Sequence, residues 1–313
     1  MKSRKRNFKR DILIHCYQRS ADRGVIFYSI RDYLVWFTNV CICAREFDVQ
    51  VLALCPMPDH THFSVMAKNR YDLSTFIGVS SQRFAFAYNR SCNRCGQLFE
   101  HSFGSAVKVG ANKARTNLIY VGNNVVERQL ATKAEECRWS FVAYANSDHP
   151  YSEPLNVRKA RRPMQRAIQE VITYRKEDKP LGYNQLKRLF KPLDNKEKQQ
   201  LIDFIIVQYN AIDYDAALAF FDHSYEYYLT ALHSTTGSEY DLNEVFVGKS
   251  DLPFAQMTRI IMEEKCFDDI HDILTLDNHA KYDLFLLLRR KTSALAEQIC
   301  HYLHLPMKKA CSR

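Results

Sequence analysis

The residues with the most chemical content lie in Pro58-Asp59-His60-Thr61-His62-Phe63. On a strand, alternate side chains share a face. His60 and His62 would then project together, with Cα atoms ~6.7 Å apart. Two imidazoles at that spacing can hold one divalent cation. Thr61, Phe63 and Val65 fall on the opposite, mostly apolar face. A bare His-x-His is more often a polar pair on a solvated strand, and two imidazoles under-fill a metal shell, so a third ligand is required. The segment from Leu118 to Arg128 reads as a helix and puts Tyr120 and Asn124, at i and i+4, on one face. An Asn oxygen is a hard, neutral ligand suited to Mg2+ or Mn2+. A phenol, with an ordinary pKa of about 10, needs nearby positive charge to act as a phenolate. The plainer reading is that Tyr120 packs and Asn124 caps, in a chain with 18 tyrosines.

These residues need a scaffold, and the first half of the chain supplies strand-like and helix-like runs in alternation. Ile12–Tyr17 reads as a short strand, Arg31–Glu46 as a helix, Val49–Cys55 and His60–Ala67 as an antiparallel pair, Leu73–Asn89 as a helix, and Ala106–Val109 as a last strand. Pro56 to Asp59 reads as the turn of the pair. The order strand–helix–strand–strand–helix–strand, followed by the tyrosine helix, implies an α+β fold: a ferredoxin-like split βαβ layer, an antiparallel sheet with helices on one face. A polar, proline-containing segment, Asp148 to Pro154, marks the expected boundary between a first domain (11–147) and a mostly helical C-terminal domain (148–313).

Composition narrows the function classes. The chain has 313 residues, 46% hydrophobic and 25% charged, which is globular rather than disordered. Lys+Arg 44 against Asp+Glu 35 gives a net charge of +9, which permits a polyanionic partner. No apolar run reaches the ~18 residues of a membrane span. No secretory leader is evident, and the ten cysteines are scattered, so a reducing, cytoplasmic setting with no membrane partner is expected. Cys92-x-x-Cys95 and Cys41-x-Cys43 lack a second pair at zinc spacing. Lys2, Arg4, Lys5, Arg6, Lys9 and Arg10 form a basic arm, and Arg158, Lys159, Arg161 and Arg162 a second basic run.

Together these elements resemble the single-tyrosine HUH transposases, including the group associated with repetitive extragenic palindromes. The family's Met-Pro-Asn/Asp-His-hydrophobic-His stands here as Met57-Pro58-Asp59-His60-Thr61-His62, and its tyrosine helix as Tyr120-Val121-Gly122-Asn123-Asn124-Val125-Val126. Gly96 to Ser105 resembles its basic-aromatic turn, Trp139-Ser140 its closing pair, and His15 with Arg19 its first-strand motif. The chain departs from the pattern at Thr61, at Val125 in place of proline, and at Ser102 and Gly104 in place of basic residues. The resemblance, over roughly residues 11–141, implies that His60, His62 and Asn124 hold Mg2+ or Mn2+. It implies that Tyr120 attacks the scissile phosphate and forms a 5′-phosphotyrosine, and that no nucleotide cofactor is needed. The expected partner is single-stranded or hairpin DNA, contacted by His15, Arg19, Lys108, Arg289 and Arg290. The family leaves open whether the chain works as a monomer or a homodimer.

Residues 281–306 read as two short helices around Thr292-Ser293-Ala294, a pattern that resembles a helix-turn-helix. Two rival readings accompany the transposase: a DNA-binding regulator that keeps the fold without cleavage, and a metal hydrolase with Asp59 as base.

Overall fold

The computed structural model describes residues 7–100, 102–234, 248, 250–264 and 267–306. Most of the N-terminal basic arm (Lys2, Arg4, Lys5, Arg6) lies outside the described residues, as does His101 of the expected basic-aromatic turn. The chain runs through β1 (Ile14–Arg19), α1 (Ile30–Glu46), β2 (Gln50–Met57), β3 (His60–Met66), α2 (Arg70–Ser91), β4 (Gly104–Val107) and α3 (Ala111–Glu127). The strands form one sheet in the order β2-β3-β1-β4, and each neighbouring pair is antiparallel. This is the expected α+β, ferredoxin-like arrangement. β2 continues through Pro56 to Met57 rather than ending at the proline. It is an edge strand of the sheet, where a missing N–H breaks no ladder.

The layers differ from expectation in one respect. The apolar side chains of the strands divide between two clusters, those of β1 and β3 on one face and several from β2 on the other. Ile14, Cys16, Phe63 and Val65 pack with α1 and α2. On the other face Leu52, Cys55 and Met57 pack with Leu118, Val121 and Val125 of α3. Helices therefore cover both faces of the sheet, not one.

α1 explains much of the remaining chain. Every residue from Leu34 to Ala44 is buried. A helix buried all round needs partners on both sides. The sheet and α2 cover one side, and α5 (Tyr183–Phe190) and α6 (Asn195–Tyr209) cover the other, with α4 (Arg162–Lys176) packed on α6. Val171, Leu186 and Ile205 share one cluster with Ile14 and Phe63. The boundary expected at 147/148 thus coincides with no break in the core. Trp139 of the closing pair stacks on Tyr33 of α1, with ring centroids 4.3 Å apart.

Beyond α6, α7 (Tyr214–Leu218) and α8 (Tyr225–Ser234) extend the α3 side, where Phe221, Tyr228 and Leu232 join its cluster. The last helices, α9 (Leu252–Glu264), α10 (Asn278–Lys291) and α11 (Ala296–Leu303), enclose a third cluster that includes Val25 and Tyr28. The expected helix-turn-helix falls on α10 and α11. α11, the helix that would enter a groove, is instead a core helix: Gln298, Ile299, Cys300, Tyr302 and Leu303 are all buried. Val25 N donates to His301 O at 3.2 Å, and Tyr28 Oη donates to Tyr302 O. Gly24 lets the chain pass so close to His304 that a Cβ there would lie 2.4 Å from its ring. A recognition helix needs an exposed face, and here the part-exposed positions of α11 are Ala296, Glu297 and His301. Among the described residues, no helix is long and apolar enough to cross a membrane.

Two buried polar clasps tie these last helices to the rest. Arg128, just past α3, donates from Nη2 to Asp251 Oδ1 (2.5 Å) and from Nε to Oδ2 (3.1 Å). Asp32 at the start of α1 is fully buried and accepts from Ser29 N (2.7 Å), Tyr183 Oη (2.8 Å) and His271 Nε2 (2.9 Å). His271 Nδ1 meets Asp269 Oδ1 at 2.7 Å. Burial alone would push the imidazole down, but Asp32 and Asp269 outweigh it and hold His271 at about 9.

A raised folded-state pKa gives stability that is full below the unfolded value near 6.5 and is lost as pH rises through about 9. Stability measured by urea unfolding should therefore fall between pH 7 and pH 9.5, by on the order of 3 kcal/mol at most. His271→Gln should be less stable at pH 6.5 and should flatten that slope. An unchanged slope in the variant would remove His271 as its cause.

Candidate active site

β3 carries His60 and His62 because its alternation leaves Thr61, Phe63 and Val65 for the α1 core. In the β1–β3 register Tyr17 lies opposite His62, and Arg19 opposite His60. Residues 15, 17 and 19 of β1 consequently share the histidine face. α3 crosses that face and brings Tyr120 to it. The Tyr120 ring stands edge-on to the rings of His15 and His62, 5.5 Å from each. The His60 and His62 rings are 4.8 Å apart and nearly perpendicular. None of His15, His60, His62, Tyr120 and Asn124 is more than 4% exposed, so the site is closed to a polymer in this state.

Each of the two histidines has an outer partner on the same ring nitrogen. Asp59 Oδ1 lies 2.5 Å from His60 Nδ1, and His15 Nε2 lies 3.0 Å from His62 Nδ1. It is therefore Nε2 that each ring would turn toward a cation. Burial, and then the neighbouring His62, Lys108 and His60, pushes His15 well below the ordinary histidine value. His15 is thus a neutral hydrogen-bonding partner of His62. Burial pushes the Asp59 carboxyl up, but His60, then Arg19 and His301, outweigh it and hold it below the ordinary value. An ionised carboxylate behind an imidazole fixes its orientation and raises its basicity.

Tyr120 and Asn124 share a face of α3, and Asn124 Nδ2 donates to Tyr120 O at 2.9 Å. That bond uses the amide nitrogen and leaves Oδ1 as the atom with ligand chemistry. Asn123 is directed elsewhere: its Nδ2 donates to Leu232 O at 2.8 Å on α8. Among the described residues, no group of three or more His, Cys, Asp or Glu gathers at metal-ligand spacing. Two imidazoles and an amide oxygen would make a mixed N/O donor set of the kind that suits Mn2+ or Mg2+.

The expected DNA contacts are dispersed. His15 and Lys108 are both buried, so neither presents a surface to DNA here. His15 bonds His62, and Lys108 acts on His15 through its charge. Both lie as deep as Tyr120 and the two histidines, beneath the same closed face. Arg19 is half-buried beside Asp59. Arg289 and Arg290 are exposed at the end of α10, where Arg289 Nη1 donates to Ala294 O at 3.2 Å. They are not drawn to the histidines.

Three features escaped sequence reading. Gly104 lies opposite Tyr17, and a Cβ there would come 2.1 Å from the Tyr17 ring. Glycine at 104 therefore makes room for an aromatic ring on the histidine face, and its departure from a basic residue has a steric reason. Asp59 serves as the partner of His60, a role its place beside His60 in the sequence allows. The charges of His301 and Asp251 reach Asp59 from the C-terminal helices, and nothing in local sequence signals that.

Comparison with known proteins bears on this geometry. Residues 11–124 match the family model described as Transposase IS200 like. No curated protein matches the chain. A solved structure of a REP-associated tyrosine transposase bound to a REP hairpin is similar at 13% identity with a TM-score of 0.41, over 46% of this chain and 85% of that one. The matched residues span the sheet, the two histidines and the tyrosine helix as far as Asn124. Over residues 11–124, about a third of its length, this chain is similar to the IS200-like transposases.

Proposed function

We propose that this chain cuts and rejoins single-stranded or hairpin DNA, with Tyr120 as nucleophile and His60, His62 and Asn124 as the holders of Mg2+ or Mn2+. The observation that carries this reading is the placement of the Tyr120 ring against His62, 5.5 Å between centroids, on a face where both histidines have their outer nitrogens tied. The phenol oxygen forms a bond to the scissile phosphorus and gives up its proton. The bond from phosphorus to the 3′ oxygen breaks, and that oxygen takes up a proton to leave as a hydroxyl. The 5′-phosphotyrosine keeps the bond energy, so a 3′-hydroxyl can reverse the step. When bound, a divalent cation supplies charge stabilisation to a non-bridging phosphate oxygen.

The chain's own residues do the rest. Asp59 and His15 hold the two imidazoles by Nδ1. Asn124 is steadied by its bond to the Tyr120 carbonyl. With its carboxylate committed to His60, Asp59 is a positioning group, which argues against hydrolysis with Asp59 as base. Tyr120 and His62 meet within one chain, which favours a nucleophile that serves its own chain's histidines.

Incubation with labelled hairpin DNA and Mg2+ or Mn2+ should give a protein-linked band on a denaturing gel. Tyr120→Phe should abolish that band, and His60→Ala should reduce it by at least about 100-fold. A mixture of the two variants should not restore it, because each chain lacks half of its own site. A band that persists in Tyr120→Phe would exclude this nucleophile. In a separate measurement, His15→Ala should weaken Mn2+ binding by about 10–100-fold, read by titration with the fold monitored by circular dichroism. Unchanged Mn2+ affinity would show that His62 needs no help from His15.

A further inference from the structure

A second concave site lies away from the histidines, between the start of α1 and the helices α5 and α6. It encloses about 670 Å³. Its apolar lining is Ile30, Phe190 and Ile202, of which Ile202 is buried and Ile30 exposed. The rim carries Lys187, Lys191 and Lys198. Helical spacing explains why they converge. Lys187, Phe190 and Lys191 stand at i, i+3 and i+4 along α5 and its cap, and Lys198 and Ile202 at i and i+4 on α6.

The charges around this cleft are not balanced. Arg31 also lines it, but its guanidinium is paired with Asp269. The remaining carboxylate in the lining is Asp268. Among the described residues, the three lysines form no ion pair with a carboxylate. Three like charges around one concavity repel one another unless an anion joins them.

An apolar lining with a half-buried aromatic ring, beside a cationic rim, suits one chemistry. A base has a π-face that can stack on Phe190, and its phosphates can meet the lysines. A simple inorganic anion would leave the apolar lining unused, and an apolar ligand would leave the rim unused. From this we infer that the cleft is a second binding site for a nucleoside phosphate, and that its occupant is an unpaired stretch of the DNA strand. The inference rests on the proposed DNA substrate. It adds a contact on the α1 side of the sheet, whereas His60, His62 and Tyr120 lie on the α3 side. Only a strand longer than the few nucleotides at the scissile phosphate could reach both.

The test uses the full chain carrying Tyr120→Phe, without metal, so that binding is read apart from cleavage. The probes are a long oligonucleotide with a hairpin and an extended single strand, a short oligonucleotide around the cut site, and free ATP. Adding Lys187→Gln, Lys191→Gln and Lys198→Gln together should weaken binding of the long probe by at least tenfold. It should also lower the slope of log affinity against log salt by about 2, at ~0.7 per single-strand phosphate. Phe190→Ala should weaken the long single-stranded probe more than its fully duplex counterpart. On the wild-type Tyr120 background, the lysine variant should give an unchanged protein-linked yield with the short oligonucleotide at saturation. That result also shows that the variant is folded.

An unchanged affinity and salt slope in the triple-lysine variant would overturn the inference while leaving the proposed function intact. Displacement of the long probe by micromolar ATP, dependent on the same lysines, would assign the cleft to a free nucleotide and overturn the strand reading. Failure of every probe to bind would count against the DNA substrate itself.

Discussion

β3 is a strand with two cores to serve. Thr61, Phe63 and Val65 must reach the cluster beneath α1, so His60 and His62 must face α3. Because both faces of the sheet are covered, the period-2 alternation leaves no neutral alternative. A slip of one residue would bury two imidazoles among Trp36 and Phe76 and would present Phe63 to Tyr120. The hydrogen bonds of Asp59 and His15 then rest on that register. The site is thus a by-product of core packing as much as of its own polar contacts. Its precision comes from strands and a helix rather than from loops.

α1 is the other fixed point. Its buried stretch contains polar side chains, and each reaches a different part of the molecule. Asp32 takes His271 and Tyr183, Thr38 Oγ1 accepts from Leu181 N, and Asn39 Nδ2 donates to Ser80 O. Buried polar groups that are satisfied in only one arrangement specify that arrangement. In this way a single helix sets where α2, α5 and the C-terminal helices sit. The sheet beneath it inherits that rigidity.

The histidine pair, the tyrosine helix and the strand order were legible in the sequence because each follows from local spacing: period 2 in β3 and i, i+4 in α3. The same local logic did not show how deep His15 and Lys108 lie. Their residue types suit a phosphate, but burial beneath the site is a property of the sheet's second cover and cannot be read from strand spacing. The boundary at 147/148 was drawn from a proline-containing polar segment. Such a segment marks a change in chain direction as readily as a change of domain, and the apolar cluster around α1 runs across it. The apolar spacing of α11 was visible, but the number of its faces that are covered depends on Val25 and Tyr28, some 270 residues earlier in the chain. Gly104 read as a missing charge, and only the facing Tyr17 ring gives it a steric reason.

The Arg128–Asp251 clasp joins residues 123 positions apart, and this sets an order in time. A ribosome makes the sheet, both histidines and the tyrosine helix first, and the helices whose charges reach Asp59 last. From the end of α3 at Glu127 to the end of α11 at Leu303, synthesis at about 5–20 residues per second takes on the order of ten seconds or more. During that interval the nascent chain carries the residues of the site without Asp251 or His301 beside it. The charge environment of Asp59 is therefore complete only once the last helices have been made.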